Sequence, residues 1–156
     1  MDSKLCEVKI PNGVVGDIYS FRNYDPKRIP TYKIEGEQLL LYMTEQNRQL
    51  ALQEFKEVHY TFYEAVHAQE LPEVMAYCNF IVEDDLTVLT FYMKQSTYRQ
   101  DLLTAVIEPA LVLEAFYYQI YAGMQSPTVT VRYVTQDGAS VYEEVLYDKI
   151  AEPSLK

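Results

Sequence analysis

Residues 4–10 alternate, with Leu5, Glu7 and Lys9 on one side of the chain and Cys6, Val8 and Ile10 on the other, which is the period of a strand. Pro11-Asn12-Gly13 is a turn signal, and Val14 to Phe21 reads as the returning strand, with Gly16 marking a bulge. Residues 22–37 hold Asp25-Pro26, Pro30 and Gly36 and read as an irregular connection. The period then changes. Thr44 is placed to cap a helix, Glu45 falls in its first turn, and Leu52, Phe55, Val58/His59, Phe62 and Val66 recur every three or four residues. That spacing predicts an amphipathic helix over about residues 45–70. Pro72 suits the first turn of a second, short helix reaching roughly Tyr77.

Residues 79–94 read as strand, broken at Glu83-Asp84-Asp85. From Leu86 to Met93 both alternating faces are largely apolar, the mark of a central strand covered on both sides. Residues 102–122 form the most apolar segment, with Glu108, Pro109, Glu114 and Gln119 set within it. Those polar groups argue against a membrane span. Pro109 predicts a kink or two abutting helices near Glu108, and Gly123 a stop. Thr128 to Thr135 and Ser140 to Tyr147 flank Asp137-Gly138, a two-residue hairpin signal. That turn would set Arg132 opposite Glu143 and Tyr133 opposite Tyr142. The expected fold is α+β, a single domain over 1–156. A mostly antiparallel sheet packs against one long amphipathic helix and one very apolar helix, and the chain ends in a β-hairpin. Residues 1–43 supply N-terminal strands and an irregular connection; residues 44–150 form a helix-strand-helix-hairpin core.

Charge narrows the partners. The chain of 156 residues has a formal net charge of −10, with 8 basic against 12 acidic residues in its first 78 and 5 against 11 in its last 78. No cationic stripe is available to neutralise phosphates, so neither direct nucleic-acid binding nor membrane insertion is expected. The one locally basic stretch, Arg22, Lys27, Arg28 and Lys33, reads as a solvated loop. Met1-Asp2-Ser3-Lys4 leads into alternation rather than an apolar run, and Cys6 and Cys78 read as reduced thiols. Both features point to a cytoplasmic protein.

Candidate chemistry is sparse. His59 and His67 lie on one predicted helix with rings directed about 80° apart, and no zinc spacing joins them to a cysteine. Glu83-Asp84-Asp85 lacks the twelve-residue pattern of a calcium loop and reads as a turn. Pro11 to Gly16 lacks the spacing of a phosphate loop. Glu108 and Glu114 are six residues apart and face different directions. No catalytic residue, cofactor or metal is therefore assigned, and the chain reads as leaning away from enzymes. The compositional oddity is fifteen tyrosines without a tryptophan. Glu114, Phe116, Tyr117, Tyr118 and Tyr121 mark a possible interface or pocket on the apolar helix.

Phe62 to Met75, which reads FYEAVHAQELPEVM, resembles the opening helices of the NTF2-like superfamily, and the likeness covers roughly residues 52–82. The resemblance implies a curved sheet wrapped around helices, a cone-shaped cavity and frequent dimers, in a superfamily of enzymes, ligand binders and assembly modules. Only one hairpin follows the second long helix, where that superfamily has several more strands. Its catalytic Asp/His dyads have no matching positions, so no site is carried over. The expected function is a non-catalytic protein-protein interaction or assembly module that self-associates, with a protein partner or a homo-oligomer as its complex. Two alternatives stand beside it. One is a small-molecule binding protein or enzyme with a Tyr-rich pocket. The other is an acidic inhibitor or immunity-type protein that blocks a basic partner.

Overall fold

A computed structural model describes residues 4–67, 79–93 and 107–150. Three strands open the chain: β1 (Leu5–Pro11), β2 (Thr31–Glu35) and β3 (Gln38–Thr44). Helix α1 (Glu45–His67) follows, then β4 (Asn79–Val82) and β5 (Val88–Met93). Helix α2 (Glu108–Tyr121) leads to the closing hairpin of β6 (Val129–Thr135) and β7 (Val141–Tyr147). The domain is α+β, as expected, but the strands form two sheets, ordered β1-β3-β2 and β4-β5-β6-β7. All neighbours are antiparallel except β5 and β6, which run parallel because the chain between them passes through α2.

The N-terminal third departs from the sequence reading. Val14 to Phe21 is not a returning strand. Gly13 and Gly16 adopt positive φ (+90° and +132°), so the chain leaves the extended region there. Asp17 then accepts the Tyr19 N–H (3.0 Å) and caps a single 3-10 turn, Ile18–Ser20, which buries Ile18. The partner of β1 is β3, with Val8 opposite Leu41 and Ile10 opposite Leu39. Within the supposed irregular connection, residues 31–35 form β2, hairpinned to β3 through Gly36-Glu37. Gly36 has φ +62° and Glu37 does not share it, the geometry of a turn with glycine in its first central position.

Thr44 caps α1 as expected, accepting the Asn47 N–H at 3.2 Å. Helix α2 runs from Glu108, with Pro109 in its first turn, where a missing N–H costs little; the residues that would show a kink or a second helix abutting Glu108 lie outside the described residues. Gly123 (φ +96°) ends α2: its N–H bonds Ile120 O (3.0 Å) and the Met124 N–H bonds Gln119 O (3.0 Å). The short helix expected from Pro72 to Tyr77 and the stretch 102–106 lie outside the described residues.

The final hairpin turns where expected but in another register. Only Gly138 takes positive φ (+74°), and the loop spans residues 136–139, closed by Gly138 N–H to Thr135 O at 2.8 Å. A bulge at Tyr142 shifts the ladder, so Arg132 faces Glu144 and Tyr133 faces Glu143, not Glu143 and Tyr142.

Two apolar cores result. Leu89, Phe91, Met93, Val129, Val131 and Tyr133 from the second sheet, with Leu86 from the turn before β5, enclose Leu111, Val112, Ala115 and Phe116 of α2. Val8, Ile10, Leu39, Leu41 and Met43 from the first sheet and Ile18 from the 3-10 turn meet Ala51 of α1 with Ile120 and Tyr121 of α2. Helix α2 thus serves both cores, and Val14 and Val15 touch both as well.

Candidate functional site: groove and open strand edge

The five residues singled out on the apolar helix do not converge. Phe116 is fully buried against the second sheet. Tyr117 and Tyr121 turn toward the first core. There Phe55 stacks on Tyr117 (5.5 Å between centroids) and meets Tyr121 edge-on (4.9 Å). Burial holds the Tyr121 phenol up at about 12 and, with the charge of Glu114 second, raises Tyr117. Tyr118 sits on the flank of α1, with the Lys56 ammonium 5.3 Å from its ring. Glu114 is half-buried and its pKa is raised by desolvation, yet it does not line the groove between β1 and the end of α2. Glu108 is also raised by burial, opposed by the neighbouring Tyr133 hydroxyl. The two carboxylates belong to different surroundings and make no acid–base pair.

Buried polar side chains on the helices are structural ties. His59, fully enclosed, places Nε2 2.8 Å from Leu111 O on α2 and Nδ1 3.3 Å from Phe55 O on α1. Desolvation lowers its pKa, against the pull of the two carbonyls. A neutral ring donates from one nitrogen only, and the shorter contact assigns that proton to Nε2. Gln119 is equally enclosed. Its amide donates to Thr128 O (2.8 Å) and Leu86 O (3.3 Å) and accepts the Thr128 N–H (3.0 Å), stitching α2 to both neighbouring strand ends. The acidic triplet is a turn, as read from sequence: Asp85 accepts the Thr87 N–H (3.1 Å) and hydroxyl (2.6 Å). No group of three or more His, Cys, Asp or Glu among the described residues is arranged to hold a metal ion.

A half-open groove of about 770 Å³ runs between β1 and the C-terminal end of α2. At its floor Arg48 donates to Tyr121 O, capping α2 with a cation at its negative end, and pairs in a fork with Glu45 (2.8 and 2.7 Å). That fork, with Gln49 second, holds the Glu45 carboxyl down at about 2. Cys6 lies beside them and donates to Met43 O at 3.1 Å. Burial, and then the charge of Glu45, raises its pKa above the ordinary thiol value, although Arg48 pulls the other way. A thiol so raised stays protonated at neutral pH and is a poor nucleophile. The charges on the groove floor are spent on one another.

The other feature is a bare strand. Strand β2 pairs with β3 on one side and with nothing among the described residues on the other, and all five of its residues are exposed. Tyr32 and Ile34 share the inner face, opposite Leu41 and Leu39, yet stay exposed. Thr31, Lys33 and Glu35 share the outer face, where Lys33 pairs with Glu35 at 3.1 Å. Leu40, also on that outer face, is nonetheless buried between Lys9 and Lys33, which flank it in the ladder and cover it with their aliphatic stems. Aromatic rings gather round this edge. Phe21 meets Tyr32 edge-on at 4.9 Å, and the Tyr19 hydroxyl donates to Gly36 O (2.9 Å) in the turn that ends the strand. Sequence reasoning missed this surface because Asp25-Pro26, Pro30 and Gly36 outweighed the short alternation Tyr32/Ile34 against Lys33/Glu35, the signal that would have found it.

Comparisons of this chain with protein-family models, with curated proteins and with solved structures found no match.

Proposed function

We propose that this chain is a non-catalytic protein-interaction or assembly module whose contact surface is the open edge of β2. The observation that carries the reading is a strand exposed along its whole length, with Tyr32 on it and Tyr19 bonded to its turn. An open edge offers unpaired backbone donors and acceptors to an incoming strand. Tyrosines beside it supply large contact area with polar tips, the residue type that interfaces favour. The interface expected on α2 moves, in this reading, to another element, since α2 is already covered by the chain's own sheets. The NTF2-like resemblance of residues 52–82 remains a proposal about ancestry and bears no weight here.

The groove supports a second reading, a small-molecule binder, because about 770 Å³ lies in the range of ligand sites. Its paired charges leave few polar groups free to orient a ligand, which ranks it second. The experiment is a photoreactive amino acid placed at Ile34 or, as control, at the exposed Leu146 of β7, in cells of the source organism. A discrete protein adduct at Ile34, absent at Leu146, is the expected result. Equal labelling at both positions, or none at Ile34, refutes the reading.

A further inference from the structure

We propose that the strand received by the β2 edge is β2 of a second copy, antiparallel, about a twofold axis at Ile34. The inference rests on the interaction-module reading above and narrows it to one partner.

The backbone geometry comes first. The two-residue turn makes Glu35 and Gln38 a hydrogen-bonded pair, and pairing alternates along the ladder. The N–H and C=O groups of Tyr32 and Ile34 therefore point away from β3, toward the open side. A twofold contact brings the same strand against itself and keeps each side chain on its own face only if the axis passes through a residue. Three such positions fall within the strand's middle. An axis at Tyr32 sets Ile34 against Pro30, which has no N–H to give. An axis at Lys33 sets Lys33 against its own copy, a like-charge contact.

An axis at Ile34 satisfies both constraints. Ile34 meets Ile34 of the second copy and exchanges two backbone hydrogen bonds with it. Lys33 faces Glu35 of the second copy, and the symmetry repeats the pair. Together with the 3.1 Å pair already present within each strand, this makes a closed ring of four alternating charges. Tyr32 lies opposite Gly36 of the second copy, where no side chain obstructs its ring and where that copy's Tyr19 is anchored through its hydroxyl. A lysine on an edge strand ordinarily repels a second strand; here Glu35, two residues on, makes the edge complementary to itself.

The test is sedimentation equilibrium on the full chain from micromolar to hundreds of micromolar, at about 0.15 M salt so that the two net negative charges are screened. The wild type is expected to show a monomer–dimer equilibrium. Lys33→Glu and Glu35→Lys should each weaken it by about tenfold or more, since each turns two attractions into two repulsions. Both positions are exposed, so the variants should keep the wild-type circular dichroism spectrum. Mixing the two variants should restore the dimer, because the first carries acids at both positions and the second bases. A chain that stays monomeric overturns the inference, as does a dimer indifferent to both variants or a mixture that fails to associate. A monomeric chain that still gives a foreign-protein adduct at Ile34 loses the second-copy assignment and keeps the interaction reading; a chain with neither loses both.

Discussion

Helix α2 carries Leu111, Val112, Phe116 and Ile120 and ends up enclosed, whereas β2 carries Tyr32 and Ile34 and ends up bare along its length. The helix has two sheets to lie against and uses both, its first two turns facing one core and its last turn the other. The strand is the last in its sheet, and all five of its residues are left exposed. Apolar content measures how strongly a segment seeks cover. Whether cover is there depends on what other parts of the chain supply.

The largest effect that sharpens this contrast is at the centre of α2. Phe116→Ala should cost about 3–5 kcal/mol, because it removes a ring enclosed on all sides. Urea unfolding measures it, and a cost under about 1 kcal/mol would mean that α2 is not the shared element of the two cores. Next is the tie at the end of the same helix. Arg48→Ala removes the cation on Tyr121 O and should cost about 1.5–3 kcal/mol, read in the same titration.

A third test uses pH. His59 is held neutral by burial, so its folded pKa lies below the usual 6.5. As pH falls through that window the unfolded chain binds the proton first, and stability drops. Each unit of depression is worth about 1.4 kcal/mol. Glu108 and Glu114 act oppositely: with raised pKa values they favour the fold at low pH and lose that contribution as pH rises above about 4.5. The informative quantity is thus the difference between wild type and His59→Gln, whose neutral amide can donate to Leu111 O at any pH. That difference should favour the wild type least at pH 5 and grow toward pH 7. A pH-independent difference would show that His59 does not titrate across this window.

The smallest effect is expected at an exposed ring in the segment before β2. Tyr24→Ser should change monomer stability by no more than about 0.5 kcal/mol, since the ring is almost wholly in solvent. A cost near that of Phe116→Ala would show that this ring is covered in the folded chain, and would weaken the contrast.

Much of the fold was legible along the chain. The 3.6-residue period and Thr44 marked α1, the doubly apolar run marked β5 as an interior strand, and Asp137-Gly138 placed the last turn. These signals are local, set by residues within a few positions of one another. The pairing of β1 with β3, the parallel contact of β5 with β6 and the bulge at Tyr142 depend on residues far apart in the chain or on one unpaired residue, and periodicity carries no trace of them. The candidate site divides the same way. An excess of tyrosine was visible in composition, but α2 absorbed the tyrosines that looked available while Tyr19, Tyr24 and Tyr32 were left outside. By itself the sequence determined which segments are helix or strand and how strongly each seeks burial, because those follow from propensity and alternation. Only the tertiary structure decided which segment stays uncovered, because exposure is a property of neighbours, and neighbours are chosen by the packing of the whole chain.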